Sequence, residues 1–224
     1  MKKSFYIILI ITALLTTAKN LQAASQEKSS EKPSKQYYVK AAFLYNFTKF
    51  IDWPPPEKSD EKNNNQNENK ETQIVKEPND CNDIKTIGII GRNPFGNIFE
   101  KMIEKQGEDK KIVVKKFHSF IVIDKPDKKE KILLEKQKIL LEKCHLLFIC
   151  HSEIEKVEII AQTLKEKPVL LVGETKNFIK QKGMIRFLEE NRKIRFIINL
   201  DATEKAGLQI RSKLLKLAKK VIQK

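Results

Sequence analysis

The chain has 224 residues, a length that fits one ordinary domain together with a targeting segment and some unstructured sequence. Its 44 lysines and arginines outnumber its 29 acidic residues and give a formal charge of +15, a balance that is typical of nucleic-acid-binding proteins. The excess is mostly lysine scattered along the whole chain, and no basic stripe is interleaved with aromatic residues. Specific nucleic-acid binding is therefore not expected.

The first residues of the chain determine its compartment. Two lysines precede an apolar run from Phe5 to Leu15, and a small-residue stretch ends at Ala23–Ala24. This order predicts a secretory signal peptide over residues 1–24 and hence an exported protein. A buried N-terminal helix or an uncleaved anchor are the alternatives. Residues 25–36 are polar and are interpreted as a flexible mature N-terminus.

The folded domain is predicted to span residues 37–223. Its first element is a helix from about Lys35 to Ile51, which Ser34 can cap and which Trp53 and the three prolines after it end. Residues 57–80 are charged, rich in asparagine and nearly free of apolar side chains. This segment cannot bury enough apolar surface to offset its ordering entropy, so we expect a disordered insertion in a loop.

Strand and helix patterns alternate through the middle of the chain. Short apolar runs predict strands at 86–91, 111–117, 145–150 and 168–172, and helical patterns lie between them at 97–105, 128–143 and 153–166. The alternation predicts an α/β fold: a three-layer sandwich with a mainly parallel sheet covered on both faces. In the helix at 128–143, Ile132, Leu133, Ile139 and Leu140 stand among lysines and glutamates, which favours a surface helix.

The pattern changes towards the C-terminus. The runs at 184–188 and 193–199 flank a polar turn that is too short for a crossover helix, so the sheet is expected to end in an antiparallel hairpin. Residues 202–223 are predicted to be helical, with an interruption at Gly207.

Few residues in the chain offer chemistry. The loop from Gly91 to Gly96 follows a strand and precedes a helix, but it matches no phosphate-binding motif and is interpreted as a structural turn. The only histidines are His118, His145 and His151, and the last two would lie roughly 20 Å apart in an extended strand. We therefore expect no metal site, no cofactor and no catalytic residues.

Three cysteines in an exported protein allow one disulfide and one remaining thiol. Cys144 and Cys150 flank a predicted strand, so they lie too far apart to be bridged, and Cys81 with Cys144 is the better pair. Three reduced thiols, with Cys150 buried in its strand, are an equally open alternative.

Six ordered blocks between about Tyr37 and Val221 resemble the YfiR family of exported α/β domains. These blocks are Val39–Phe50 with Trp53–Pro54, Gly91 with Asn93–Gly96, Cys144–Ile149, Gly183–Ile185, Asn191–Arg192 with Arg195–Phe196 and Ile198–Asn199, and Ala206–Ile210 with Ser212–Leu215 and Leu217–Ala218. Two positions depart from the family pattern. The family's first-strand cysteine falls near Gly88, which puts the usual disulfide to Cys144 in doubt, and its common glutamate is Ile197, which weakens the transfer of a polar ligand pocket.

The resemblance implies a function by binding. The best-known kind of YfiR-like domain restrains a membrane diguanylate cyclase from the periplasmic side, and other members accompany sensory kinases and outer-membrane systems. We therefore expect a non-enzymatic regulator that binds a membrane signalling protein, either a diguanylate cyclase or a sensor kinase. The alternative is a periplasmic small-molecule binding module linked to transport, and a homodimer also remains open.

Three residues are the candidate contacts with such a partner. Trp53, Arg211 and Lys213 are proposed because aromatic and arginine side chains dominate the energies of protein interfaces. The structural alternative is that Trp53 caps the core after its helix and that Arg211 and Lys213 belong to a solvated helix face.

Overall fold

Apolar runs that the sequence marks as strands form the centre of the domain in a computed structural model, which describes residues 33–55, 84–105 and 112–223. The predicted signal peptide, most of the predicted flexible N-terminus and the predicted insertion at 57–80 lie outside these residues, as does Cys81. The described helices and strands follow one another in this order: α1 (Lys35–Phe50), β1 (Ile51–Asp52), β2 (Lys85–Ile90), α2 (Ile98–Glu104), β3 (Ile112–Phe117), α3 (Lys128–Glu142), β4 (Leu146–Ile149), a 3-10 helix (His151–Lys156), α4 (Val157–Thr163), β5 (Leu170–Gly173), β6 (Ile185–Glu190), β7 (Lys193–Asn199), α5 (Leu200–Lys205), β8 (Gln209–Ile210), α6 (Ser212–Leu217) and β9 (Lys220–Ile222).

Seven of the described strands form one sheet in the order β3-β2-β4-β5-β6-β7-β9, and β1 pairs with β8 in a separate antiparallel pair. Pairing is parallel from β3 through β6, and β6 and β7 form an antiparallel hairpin. Helices cross between β2 and β3, β3 and β4, and β4 and β5, whereas a connection of turns joins β5 to β6. This confirms the predicted mainly parallel α/β sheet with its antiparallel hairpin. Beyond the hairpin, β9 adds an edge strand parallel to β7.

Residues 200–222 differ from the prediction of an interrupted helix. They form two short helices and two short strands, because Gly207 adopts a φ of +72° that ends α5. The chain then pairs twice with distant partners: the Arg211 N–H donates to the Phe50 carbonyl and the Lys219 N–H donates to the Phe196 carbonyl. Ladder bonds to β1 and β7 therefore replace the helical hydrogen bonds that the local pattern favoured.

Phenylalanine side chains fill the core between α1 and the sheet. The Phe47 ring is fully buried and lies 5.8 Å from the Phe187 ring and 5.3 Å from the Phe196 ring. Phe95, which follows β2, packs edge-on against Phe148 of β4 at 5.0 Å. These contacts fix α1 and the loop after β2 against the carboxyl half of the sheet.

Candidate functional site

The carboxyl ends of the parallel strands are the first place to look for a site. In an open α/β sheet, ligands bind beyond these ends, at the point where successive crossovers leave in opposite directions. Here that point lies between β2 and β4, because β3 flanks β2 on one side and β4 flanks it on the other. The loops that begin at Gly91 and at Cys150 meet there.

Contacts within the chain join these two loops directly. The Arg92 N–H donates a hydrogen bond of 2.8 Å to the Ser152 hydroxyl. Gly91 has a φ of +100°, and a Cβ at this position would lie 2.5 Å from the same hydroxyl oxygen. The loop after β2 continues as an Asn93 turn, in which the side-chain oxygen accepts from the Phe95 N–H at 2.9 Å. The loop therefore packs as a turn against its neighbour.

Glu153 is the most buried carboxylate at this edge, with 4% of its surface exposed. Its oxygens accept hydrogen bonds from the Ser119 hydroxyl at 3.0 Å and from the Phe120 N–H at 3.0 Å. The Lys156 ammonium lies 3.1 Å away and also donates to the Phe120 carbonyl at 2.9 Å. These hydrogen bonds and the ion pair occupy the Glu153 carboxylate and connect the segment after β3 to the 3-10 helix.

A second polar cluster connects α1 to the end of β5. The Lys40 ammonium forms an ion pair with the Glu174 carboxylate, and the Tyr37 hydroxyl donates to the other carboxylate oxygen at 3.1 Å. Burial and the neighbouring negative charge of Glu174 raise the pKa of Tyr37 well above its ordinary value. Sequence analysis missed this cluster, because no local pattern connects residues that lie so far apart along the chain.

The histidines lie at three different places in the fold. His145 lies at the start of β4, where its Nδ1 accepts from the Thr86 N–H at 3.0 Å, whereas His118 and His151 are exposed. Within the residues that the structure describes, no group of three or more histidine, cysteine or acidic side chains is arranged to hold a metal ion.

The described cysteines are buried thiols. Burial raises the pKa of Cys144 to about 11 and, together with nearby Glu174, that of Cys150 to about 12. The Cys144 sulfur lies 2.9 Å from the point where a Cβ on Gly88 would stand. The resemblance places the family's first-strand cysteine near Gly88, and Gly88 lies beside Cys144. The Cys81–Cys144 bridge stays a prediction, because Cys81 lies outside the described residues.

The three proposed contact residues surround the end of α1. The Trp53 ring is half-buried, its indole N–H donates to the His145 carbonyl at 3.1 Å, and its ring packs edge-on to the His145 imidazole. The Arg211 guanidinium holds the Asp52 carboxylate with two nitrogens, at 3.0 and 2.6 Å, and lowers the pKa of that carboxyl. The Lys213 ammonium lies 5.2 Å from the Phe50 ring centre.

These contacts give the three residues different roles. Trp53 is anchored in the domain, which agrees with the structural alternative for this residue. Arg211 and Lys213 are exposed; Arg211 also binds Asp52 of β1, and Lys213 also contacts Phe50 at the end of α1. We define this exposed pair together with Asp52 as the C-terminal clamp.

Helix α3 carries an apolar surface that points away from the core. Ile132, Leu133, Ile139 and Leu140 keep between 44% and 51% of their surface exposed, whereas Leu141 is fully buried. Sequence analysis placed these four residues on a surface helix but overlooked that Lys131–Lys136 and Lys138–Lys143 have the same six-residue sequence, KILLEK. That repeat was the signal for a continuous outer face.

Comparisons with known proteins identify a family. The model of the YfiR/HmsC-like family matches residues 72–219. No curated protein sequence matches the chain significantly. Two solved structures share a partial likeness: the ABC domain in complex with L-Trp from Streptococcus pneumonia (14% identity, TM-score 0.41) and a conserved domain protein from Vibrio cholerae (11% identity, TM-score 0.42). Each match covers 62% of this chain, and the chain spans 57% and 55% of the two structures.

Proposed function

The chain belongs to the YfiR/HmsC-like family, and we propose that it is an exported regulator that binds and restrains a membrane diguanylate cyclase. The family is regulatory in kind, and none of the helices in the described residues is long and apolar enough to cross a bilayer. A domain on the far side of the membrane influences the cell interior by contacting a protein that crosses it. Binding is accordingly the activity that we assign.

The observation that carries this proposal is the state of the carboxyl edge of the sheet. Beyond the ends of β2 and β4, polar groups that could hold a small ligand are bonded to other parts of the chain: Ser152 to Arg92, and Glu153 to Ser119 and Phe120. Beyond β5, the Thr175 hydroxyl is buried without such a bond to the described residues. This arrangement favours a protein partner over the alternative of a small-molecule module, for which a pocket with convergent polar groups is typical.

The C-terminal clamp is the contact surface that we propose for this partner. Its Arg211 side chain is 57% exposed although it binds Asp52 with two nitrogens, so its geometry is fixed before a partner arrives. A fixed arginine loses little side-chain entropy on binding, which favours it as an interface anchor. Trp53 contributes by holding the same segment in place.

The test is deletion of the gene and complementation, with cyclic di-GMP and surface attachment as readouts. Deletion is expected to raise cyclic di-GMP, and the wild-type gene to lower it again. Lys213→Glu and Arg211→Glu chains should restore the low level poorly, with folding checked by circular dichroism. Cyclic di-GMP that stays unchanged on deletion, with the cyclase present, would contradict the proposal and leave the transport-linked module.

A charge swap tests whether Arg211 contacts the partner itself or only holds Asp52 in place. In the double variant Asp52→Arg/Arg211→Glu the ion pair is kept but the arginine no longer stands at position 211. If the swap regulates normally while Arg211→Glu alone does not, Arg211 acts by holding Asp52 and is not itself a contact. Export is tested separately by fractionation and N-terminal sequencing, which should find a cut near Ala23 or Ala24.

A further inference from the structure

The outer face of α3 consists of aliphatic and lysine side chains, and exposed Glu135 borders it beside the isoleucine row. At 100° per residue, two aliphatic rows run along the helix with a lysine row between them. All the members are exposed. The outer face comprises Lys129, Ile132, Leu133, Lys136, Ile139 and Leu140, and the lysine row continues at Lys143 just beyond the helix end.

The rest of the helix fixes the direction of this face. Leu141 is fully buried, and the Gln137 side chain accepts from the Ile121 N–H and donates to the Ser119 carbonyl, both at 3.0 Å. At the helix start, Asp127 and Glu130 exchange hydrogen bonds in a capping box. The core thus binds the opposite side of α3, and the outer face is presented on a helix that is already ordered.

The charge pattern selects what can cover this face. Successive lysines in the row stand about 10 Å apart, from seven residues at 1.5 Å each. A second copy would bring two lysine rows together, which is destabilising because like charges would be opposed. A bilayer would also fit poorly, since helices that lie in a membrane surface keep their cations on the polar face, whereas here the lysines lie between the apolar rows.

We propose that the outer face of α3 is a docking site for an acidic amphipathic helix of a partner protein. Such a helix would carry carboxylates at seven-residue spacing between its own aliphatic rows. Its carboxylates would meet the lysine row, and its aliphatic rows would cover the four exposed side chains. The inference rests on the proposed function in that it assumes a protein partner, and it adds the chemistry of the surface which that partner presents.

The probe is a synthetic 21-residue helical peptide with glutamate every seven residues between isoleucine and leucine rows, titrated into the exported mature chain. We expect saturable binding that weakens as salt is raised. Lys136→Glu and Leu140→Ser should each weaken binding about ten-fold. The matched control is Lys131→Glu, an exposed lysine of the same helix outside the outer face, which should change affinity less than two-fold.

Reversing both charges gives the most specific readout. A peptide with lysine in place of glutamate should not bind the wild-type chain, but it should bind the Lys129→Glu/Lys136→Glu chain. Equal affinity of both peptides for the wild-type chain would overturn the proposal. So would binding only to vesicles of phosphatidylglycerol and phosphatidylcholine, or a dimer in sedimentation that Leu140→Ser dissociates.

Failure here is distinguishable from failure of the proposed function. If the peptide does not bind and the Lys136→Glu chain still restores low cyclic di-GMP, the docking site is wrong and the regulator proposal stands. If deletion of the gene leaves cyclic di-GMP unchanged, the regulator proposal is wrong whatever the peptide does.

Discussion

The ion pair between Lys40 and Glu174 is predicted to be the main polar attachment of α1 to the sheet. The Lys40 side chain is 8% exposed and that of Glu174 is 16% exposed, so each charge depends on the other for its solvation. Changing Lys40 to Met keeps the length of the side chain and removes the ammonium. Among the described residues, the Glu174 carboxylate then retains the hydrogen bond from the Tyr37 hydroxyl.

The expected loss of stability in Lys40→Met follows from the burial of both charges. Removing one partner of a buried pair destabilises a protein by about 3 kcal/mol or more, because an uncompensated charge is left in the interior. For a domain of this size that corresponds to a fall in Tm of roughly 6 to 12 °C. Lys40→Met/Glu174→Gln removes both charges and keeps an acceptor for Tyr37. The double variant should therefore recover at least half of the loss.

Urea unfolding measures these free energies, with fluorescence of Trp53, the one tryptophan of the chain, as the signal. Lys35→Met, at an exposed position of the same helix, is the matched control and should change stability by less than about 0.5 kcal/mol. The reasoning is refuted if Lys40→Met costs no more than this control. It is also refuted if the double variant is as unstable as the sum of the single ones.

Three further predictions concern the thiols and the long insertion. Because the folded pKa values of Cys144 and Cys150 lie near 11 and 12, above about 9 in the unfolded chain, their contribution to stability is complete below pH 9 and is lost as the pH rises through 11. In the reduced protein, in which Cys81 forms no bridge to Cys144, iodoacetamide at pH 8 should then label them only as fast as the domain opens, and labelling as rapid as in urea would contradict this. Gly88→Cys should form a bridge with Cys144, because a disulfide places the Cβ about 3 Å from the far sulfur. A rise in Tm that dithiothreitol abolishes would show the bridge. The gain in the free energy of unfolding has an upper limit of about 4 kcal/mol, which is reduced by the cost of displacing a neighbouring leucine methyl. An unchanged number of free thiols would contradict the prediction. Deleting residues 57–76 should leave cooperative thermal unfolding intact, since the stretch is almost free of apolar side chains, and a broad, non-cooperative melt would show that it is structural.

The parallel core could be predicted from the sequence because its strands are buried on both faces. The run Leu146–Ile149 is apolar at every position and the structure buries every one of them. The hairpin was equally accessible, since the turn between β6 and β7 is too short for a crossover. In both cases a local pattern and the tertiary environment require the same conformation.

The C-terminal segment shows where local pattern is insufficient. Leu214, Leu215 and Ala218 have a helical spacing, and α6 does form, but it ends at Leu217 because the chain then pairs with β7. Strand β7 is near this segment only in the folded protein, and pairing with it ends the helix. Which face of α3 is buried could not be predicted for a similar reason. Leucines lie on both faces of this helix, and only packing in the folded protein determines which face is buried.

The packing of α1 against the core indicates where the smallest folding unit of the chain begins. The family match begins at residue 72, after α1, yet α1 supplies Ala41, Leu44 and Phe47 to the core, each fully buried. A chain that starts at residue 72 would leave the Phe187 and Phe196 rings without the Phe47 ring that covers them. Loss of a buried phenylalanine alone removes about 3 to 5 kcal/mol, a large part of the stability of an ordinary domain. The smallest folding unit must therefore begin with α1, and fragments that omit it should be insoluble or molten in near-UV circular dichroism, whereas a sharp native spectrum from such a fragment would contradict the argument.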